Sequence, residues 1–455
     1  MAIATTNPAT GKVVRTFPAL TVPELETKLA LAASAFAQHR LTSFADRAKK
    51  MLRAAEILES DADKYAVLMT LEMGKPLAQA KAEALKCATA CRYYAEKAEH
   101  LVADEPVPDA EGHCFVRYEP IGPVLAVMPW NFPFWQVVRF VAPALMAGNV
   151  GLLKHASNVP QCGFALEELF LRAGFPAGCF QYLAIESPAV TKVIEDSRVM
   201  AVTLTGSVGA GSKVAAVAGR EIKRTVLELG GSDPFIVMPS APLAKTVEQA
   251  VKGRVQNNGQ SCVASKRFIV HTAVYYEFEK LFAEAFRKLR MGDPTQAETD
   301  IGPLAQKQGV DDIEHLVQQA LASGGRALVG GKRGTGPGFF YEPTILVDIP
   351  VVAPIVREEF FGPVALLFCV RDLDEALALA NSTSFGLGAS IWTQDEAEQQ
   401  RGIRELQAGQ VFVNSIVASQ PALPFGGIRQ SGYGRELGGA GIREFMNAKS
   451  VQIAG

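Results

Sequence analysis

Apolar and polar positions change rhythm twice along the chain. From Thr21 to about Leu101 apolar residues recur at helical spacing in a stretch rich in Ala, Leu, Lys and Glu, which predicts a layer of helices. Thr21, Pro23 and Glu24 open it as a threonine N-cap, a proline inside the first turn and a glutamate at the third helical position. Gly74-Lys75-Pro76 interrupts the layer, and ahead of it Asn7-Pro8-Ala9-Thr10-Gly11 reads as a turn opening a short strand at Val13-Val14. Residues 102–120 turn to prolines and acids, then alternate through Cys114-Phe115-Val116-Arg117-Tyr118. That alternation predicts an exposed hairpin, an arm that pairs with something.

From Ile121 continuous apolar runs at 123–128, 150–154, 180–183 and 200–204 alternate with helical segments. A second unit starts near Ser232, with runs at 235–238, 268–270, 365–368 and 411–414. Such runs predict parallel strands covered on both faces, an α/β fold of two tightly packed units with a cleft between them.

Composition narrows the class. The 455 residues, 48% of them hydrophobic with a net charge of −2, suffice for two or three domains and argue against a nucleic-acid partner. No apolar run is long enough to span a membrane, and the first residues lack a signal-peptide pattern; the expectation is a soluble, cytoplasmic protein. Seven irregularly spaced cysteines fit free thiols in a reducing compartment. Cys87 and Cys91 lack further ligands at metal spacing, so no metal site is expected.

One thiol stands apart. Cys262 follows the polar turn Gln256-Asn257-Asn258-Gly259-Gln260-Ser261, whereas the other six lie in helical or strand-like apolar contexts where cysteine acts as a small hydrophobe. Asn131, in the loop Pro129-Trp130-Asn131-Phe132-Pro133 after a strand, is either a donor to a developing oxyanion or a turn residue. Glu228, between Leu227 and Leu229, is either a general base with a raised pKa or a buried glutamate paired with a cation. Lys154 and Ser157 follow another strand, where a ribose or phosphate fits as well as plain solvation. Gly206 and Ser207 open a helix that suits a pyrophosphate, yet the glycine spacing is not G-x-G-x-x-G and an ordinary cap reads equally well. Phe361, after Glu359, and Phe425 are cleft walls or core.

In this order and at these separations the stretches resemble the aldehyde dehydrogenase superfamily over essentially the whole chain, through to Ser431-Gly432-Tyr433-Gly434-Arg435-Glu436. The resemblance implies a Rossmann-like cofactor domain (1–101 and 121–230), an α/β catalytic domain (231–442) and a β-hairpin oligomerisation arm (102–120 with 443–455) that makes a homodimer or dimer of dimers. It implies Cys262 as nucleophile, Asn131 with the Cys262 amide as oxyanion hole, and Glu228 as base. Trp130, Lys154, Ser157, Gly206, Ser207, Leu229, Glu359 and Phe361 fall at cofactor positions. NAD-preferring members commonly carry Glu three residues after the lysine; here Ser157 can donate to a 2′-phosphate, so NADP is the expected cofactor and NAD a poorer one.

For the substrate, Arg139 and Ser419 match an arginine and a serine that hold the distal carboxylate in succinate-semialdehyde dehydrogenases, with Phe132 and Phe425 as walls. Arg139 reads equally as a structural arginine. Many members of that subfamily have an arginine six residues before the nucleophile, where this chain has Gln256, and its redox-switched forms have a cysteine where this chain has Ala264. The expected partner is a small aldehyde, succinic semialdehyde first. Another small aldehyde or longer semialdehyde is the runner-up, and a non-catalytic relative of the fold the reading from a different class.

Overall fold

The computed structural model describes residues 2–454, so Met1 and Gly455, the ends of two ranges given above, lie outside it. One sheet runs in the order Gly432–Tyr433, Arg224–Glu228, Ala201–Thr205, Pro123–Met128, Val150–His155, Phe180–Tyr182. Its strands are parallel except for the two-residue edge strand. The other sheet runs Arg326–Val329, Thr344–Val347, Val364–Val370, Ser265–His271, Asp233–Val237, Gly388–Trp392, Gln410–Val413, again parallel except at its first pair.

In both sheets the strand earliest in the chain is internal, so successive connections leave it in opposite directions and a crevice opens at its carboxyl end. In the first sheet that strand is Pro123–Met128, and Trp130 and Asn131 follow directly. Strands Val150–His155 and Ala201–Thr205 are buried throughout, which is why they read as unbroken apolar runs.

The helical layer consists of Val22–His39, Phe44–Ser60, Ala62–Met73 and Leu77–Leu101. Its opening cap is reciprocal: the Glu24 amide donates to Thr21 Oγ1 (3.4 Å) and the Thr21 amide to Glu24 Oε2 (2.7 Å). The last helix packs on Trp135–Ala147 and so carries its side chains to the crevice.

The arm's partner is the end of the same chain. Strand His113–Pro120 pairs with Glu105–Pro106 on one side and with Met446–Ile453 on the other, Met446 opposite Pro120. The chain returns earlier as well: Gly432–Tyr433 edges the first sheet, and Leu437, Ile442 and Phe445 sit in that sheet's core. One strand escaped the sequence reading, and one expectation needs correction. Gly388–Trp392 is an internal strand that small residues hid from an apolar-run reading. Cys87, Cys91, Cys162 and Cys179 are buried, but Cys114 is half-buried and Cys369 exposed, the one exposed residue of strand Val364–Val370.

Candidate active site

The turn before Cys262 is wound left-handed over three residues, Asn257 (φ 57°), Asn258 (φ 57°) and Gly259 (φ 75°). Asparagine and glycine are the residues that accept this region most readily, so the Asn-Asn-Gly run is the local cause of the loop's shape. Side-chain amides then fasten it. Asn258 Nδ2 donates to the carbonyls of Gly74 (2.9 Å) and Pro303 (2.8 Å), while its Oδ1 accepts from the Gly302 amide (2.8 Å). Asn257 Nδ2 donates to the carbonyls of Asn131 (2.7 Å) and Gln260 (2.9 Å). Buried Lys266 donates to the Ser261 (2.9 Å) and Cys262 (2.6 Å) carbonyls.

Cys262 lies where two cavities meet. One, of about 290 Å³, is lined by Trp130, Asn131, Gly206, Ser207, Leu229, Glu359 and Phe361. The other, of about 560 Å³, is lined by Phe132, Arg139, Ser419 and Phe425 with Lys86 and Trp135. Both include Cys262, so twelve residues assigned from sequence alone, Cys262 among them, border two cavities that share this cysteine. Asn131 is aimed by one N–H, which donates to the Gln260 carbonyl (3.0 Å); the amide's second N–H is left for a ligand. Trp130 and Phe361 meet edge to face with ring centroids 5.8 Å apart. Glu359 is held by the Gly231 amide (3.1 Å) and by Lys266 (3.3 Å).

Burial pushes the Cys262 thiol up to about 11, against the pull of Arg139 and Lys266. Cys179 is pushed to a similar value by burial. Resting acidity therefore does not distinguish Cys262, whereas its place between the two cavities does.

Three of the expected residues border neither cavity: Glu228, Lys154 and Ser157. The Glu228 carboxyl is buried beside Gly426, whose α-carbon leaves no room for a side chain there: an added Cβ would lie 2.6 Å from Glu228 Oε1. Neither Glu228 oxygen has a hydrogen-bond partner among the described residues, and burial with Glu436 nearby holds its pKa well above the carboxylate range. Arg139 is taken up by a buried ion pair with Glu436, by Thr205 (3.2 Å) and by stacking on Phe425 (4.5 Å). Both readings of Arg139 thus meet in one residue, a structural pair that still borders the cavity.

Lys154 is buried at the end of its strand with no ion pair among the described residues; burial alone lowers its pKa. Ser207 caps helix Val208–Arg220, its Oγ accepting from the Ala210 amide (3.3 Å). The first turn of that helix is open at Gly209, where an added methyl would meet nothing within 4 Å, leaving amides free for a phosphate.

Sequence reasoning missed Lys86 and Glu436. Lys86 sits in an Ala-, Lys- and Glu-rich helix where lysines read as solvated, and nothing local marks it. Glu436 gains its meaning from Arg139, about 300 residues earlier in the chain, a pairing no local pattern carries.

A doubly wound sheet whose crevice leads to a cysteine between two cavities defines a class, and the comparisons name it. A profile of the aldehyde dehydrogenase family matches residues 1–451, and the chain belongs to that family. Among curated relatives, succinate-semialdehyde dehydrogenase (NADP+) 1 of Mycobacterium tuberculosis is 57% identical over 457 aligned positions, covering all of both chains. The corresponding protein of Mycobacterium leprae is 55% identical at the same coverage. Among solved structures, succinic semialdehyde dehydrogenase from Streptococcus pyogenes in complex with NADP+ superposes with a TM-score of 0.97 at 37% identity, covering all of both chains.

Proposed function

We propose that the chain oxidises succinic semialdehyde to succinate with NADP, and uses NAD less well. The observation that carries the reading is Cys262 at the meeting of two cavities, one ending in cationic and hydroxyl groups, the other at a helix N-terminus. The relatives at 55–57% identity, named for this activity, support it. In this reading Cys262 Sγ bonds to the aldehyde carbon, and the Asn131 amide and the Cys262 backbone N–H, which donates to nothing else among the described residues, hold the resulting alkoxide.

For the cofactor, Lys154 offers a buried cation with no acid beside it, Ser157 a hydroxyl, and Gly206 and Ser207 the start of a helix. A carboxylate would repel a 2′-phosphate, and none acts on Lys154. Trp130, Leu229, Glu359 and Phe361 border the space nearest Cys262, where bound NADP supplies the hydride acceptor. Glu228 activates water against the thioester, which requires its side chain to lose its proton and turn from Gly426 toward Cys262. The carboxylate of the substrate rests on Ser419 and Arg139 between Phe132 and Phe425. Residues 1–101 and 121–230 then form the cofactor domain, 231–442 the catalytic domain, and the three-stranded arm joins subunits into a homodimer or dimer of dimers in the cytoplasm.

The test is a matrix of substrates and cofactors. The native protein should prefer succinic semialdehyde to butanal by at least tenfold in kcat/KM and NADP to NAD; Arg139→Ala should erode the first preference and Ser157→Glu reverse the second. Equal use of both aldehydes by the native protein would refute the substrate assignment.

A further inference from the structure

The larger cavity holds a cation that the reading above leaves without a role. Lys86 lies on helix Leu77–Leu101 and borders the cavity together with Cys262, Arg139 and Ser419. It makes no ion pair among the described residues. The carboxylate nearest in sequence, Glu83 one turn earlier, is occupied: it forms a buried ion pair with Lys75 and accepts from the Phe134 and Trp135 amides (2.9 Å each). The Lys86 ammonium instead lies 4.2 Å over the Trp135 ring and donates to Ser419 Oγ (2.9 Å).

Ser419 is the second half of the observation. Its Oγ accepts from Lys86 Nζ and from Trp135 Nε1 (2.9 Å each). A hydroxyl has two lone pairs and one proton, so with both lone pairs used the O–H is left to donate. A half-buried ammonium with donors to spare, bound to a hydroxyl poised to donate, is the complement of an anion. Taking a cation out of water without an anion is unfavourable. The strain shows in Lys86, which burial, with Arg139 beside it, lowers to about 8 against the opposing pull of Cys87, Glu83 and Cys262. Arg139 is not an equivalent anchor for an anion, since its own charge is met by Glu436.

We propose that Lys86 is a substrate-binding residue whose ammonium, with the Ser419 hydroxyl, receives the distal carboxylate of the aldehyde acid. The proposal rests on the substrate reading above, and supplies the net positive charge that Arg139, paired to Glu436, does not. A carboxylate bound there meets a charge-assisted contact from each partner, while an aldehyde of the same length ending in a methyl group leaves the cation unpaired.

The experiment compares succinic semialdehyde with butanal on the purified full-length protein, native and as Lys86→Met, Lys86→Gln and Lys86→Arg. Either neutral variant should lower kcat/KM for succinic semialdehyde at least tenfold, chiefly through KM, and leave butanal within about twofold. Lys86→Arg should restore most of the lost discrimination. Binding of succinate, read by calorimetry without turnover, should weaken by a similar factor in the neutral variants. An unchanged ratio between the two aldehydes in both neutral variants, or an equal fall for both substrates, overturns the assignment of Lys86. If the native protein itself does not discriminate the two aldehydes, it is the substrate reading that fails, a result distinct from either of these.

Discussion

A thiol held near 11 is ionised in roughly one molecule in a few thousand at pH 7.5, so the proposed nucleophile is kept in reserve until ligands alter its surroundings. In cofactor-free protein, alkylation of Cys262 by iodoacetamide should rise about tenfold per pH unit from 7 to 10. The measurement is mass spectrometry of the Cys262 peptide, because exposed Cys369 will react too. A plateau below pH 9 would mean the thiolate is already stabilised in the free protein. At this scale the sequence was informative wherever a residue's own neighbours determine its environment. Glu228 between two leucines is buried and its pKa is raised by that burial, as the flanking residues imply. It was silent where the environment comes from a distant element, as for Lys86 on its helix or Glu436 beneath Arg139.

Elements were legible where local rules act: the Thr21 cap, the break at Gly74, and the fully buried strands. The turn of Asn257, Asn258 and Gly259 was singled out for its cysteine, but its left-handed winding and its anchoring to Gly74 and Pro303 emerge only in three dimensions. Gly259 is the least replaceable residue in it: φ is +75° and an added Cβ would lie 2.3 Å from the Gly362 carbonyl carbon. Gly259→Ala should therefore destabilise the protein by about 1–3 kcal/mol and reduce turnover by displacing the cysteine loop. As a contrast, Gly219→Ala, in helix Val208–Arg220 with nothing within 4 Å, should be neutral or stabilise by about 0.5–1 kcal/mol. Thermal unfolding of the two variants side by side checks both; equal melting temperatures would contradict the steric argument.

Across the whole molecule, the two large sheets are interlocked more than the order of their strands along the chain suggests. Phe425, Leu437 and Phe445 pack into the core of the first sheet, and Arg139 and Glu436 join the two parts of the chain through a buried ion pair. Unfolding should thus be a single cooperative event: calorimetry, far-ultraviolet circular dichroism and tryptophan fluorescence should report coincident transitions, and two separated transitions would contradict the interlock. The same interlock bears on how the protein is made. At about 5–20 residues per second, the ribosome exposes the strands of the first sheet well before it supplies Gly432–Tyr433 and Met446–Ile453, which close that sheet's edge and flank the arm. During this interval a nascent chain carries open hydrogen-bonding edges, so the residues from Gly432 onward set when the earliest-made half becomes safe from aggregation.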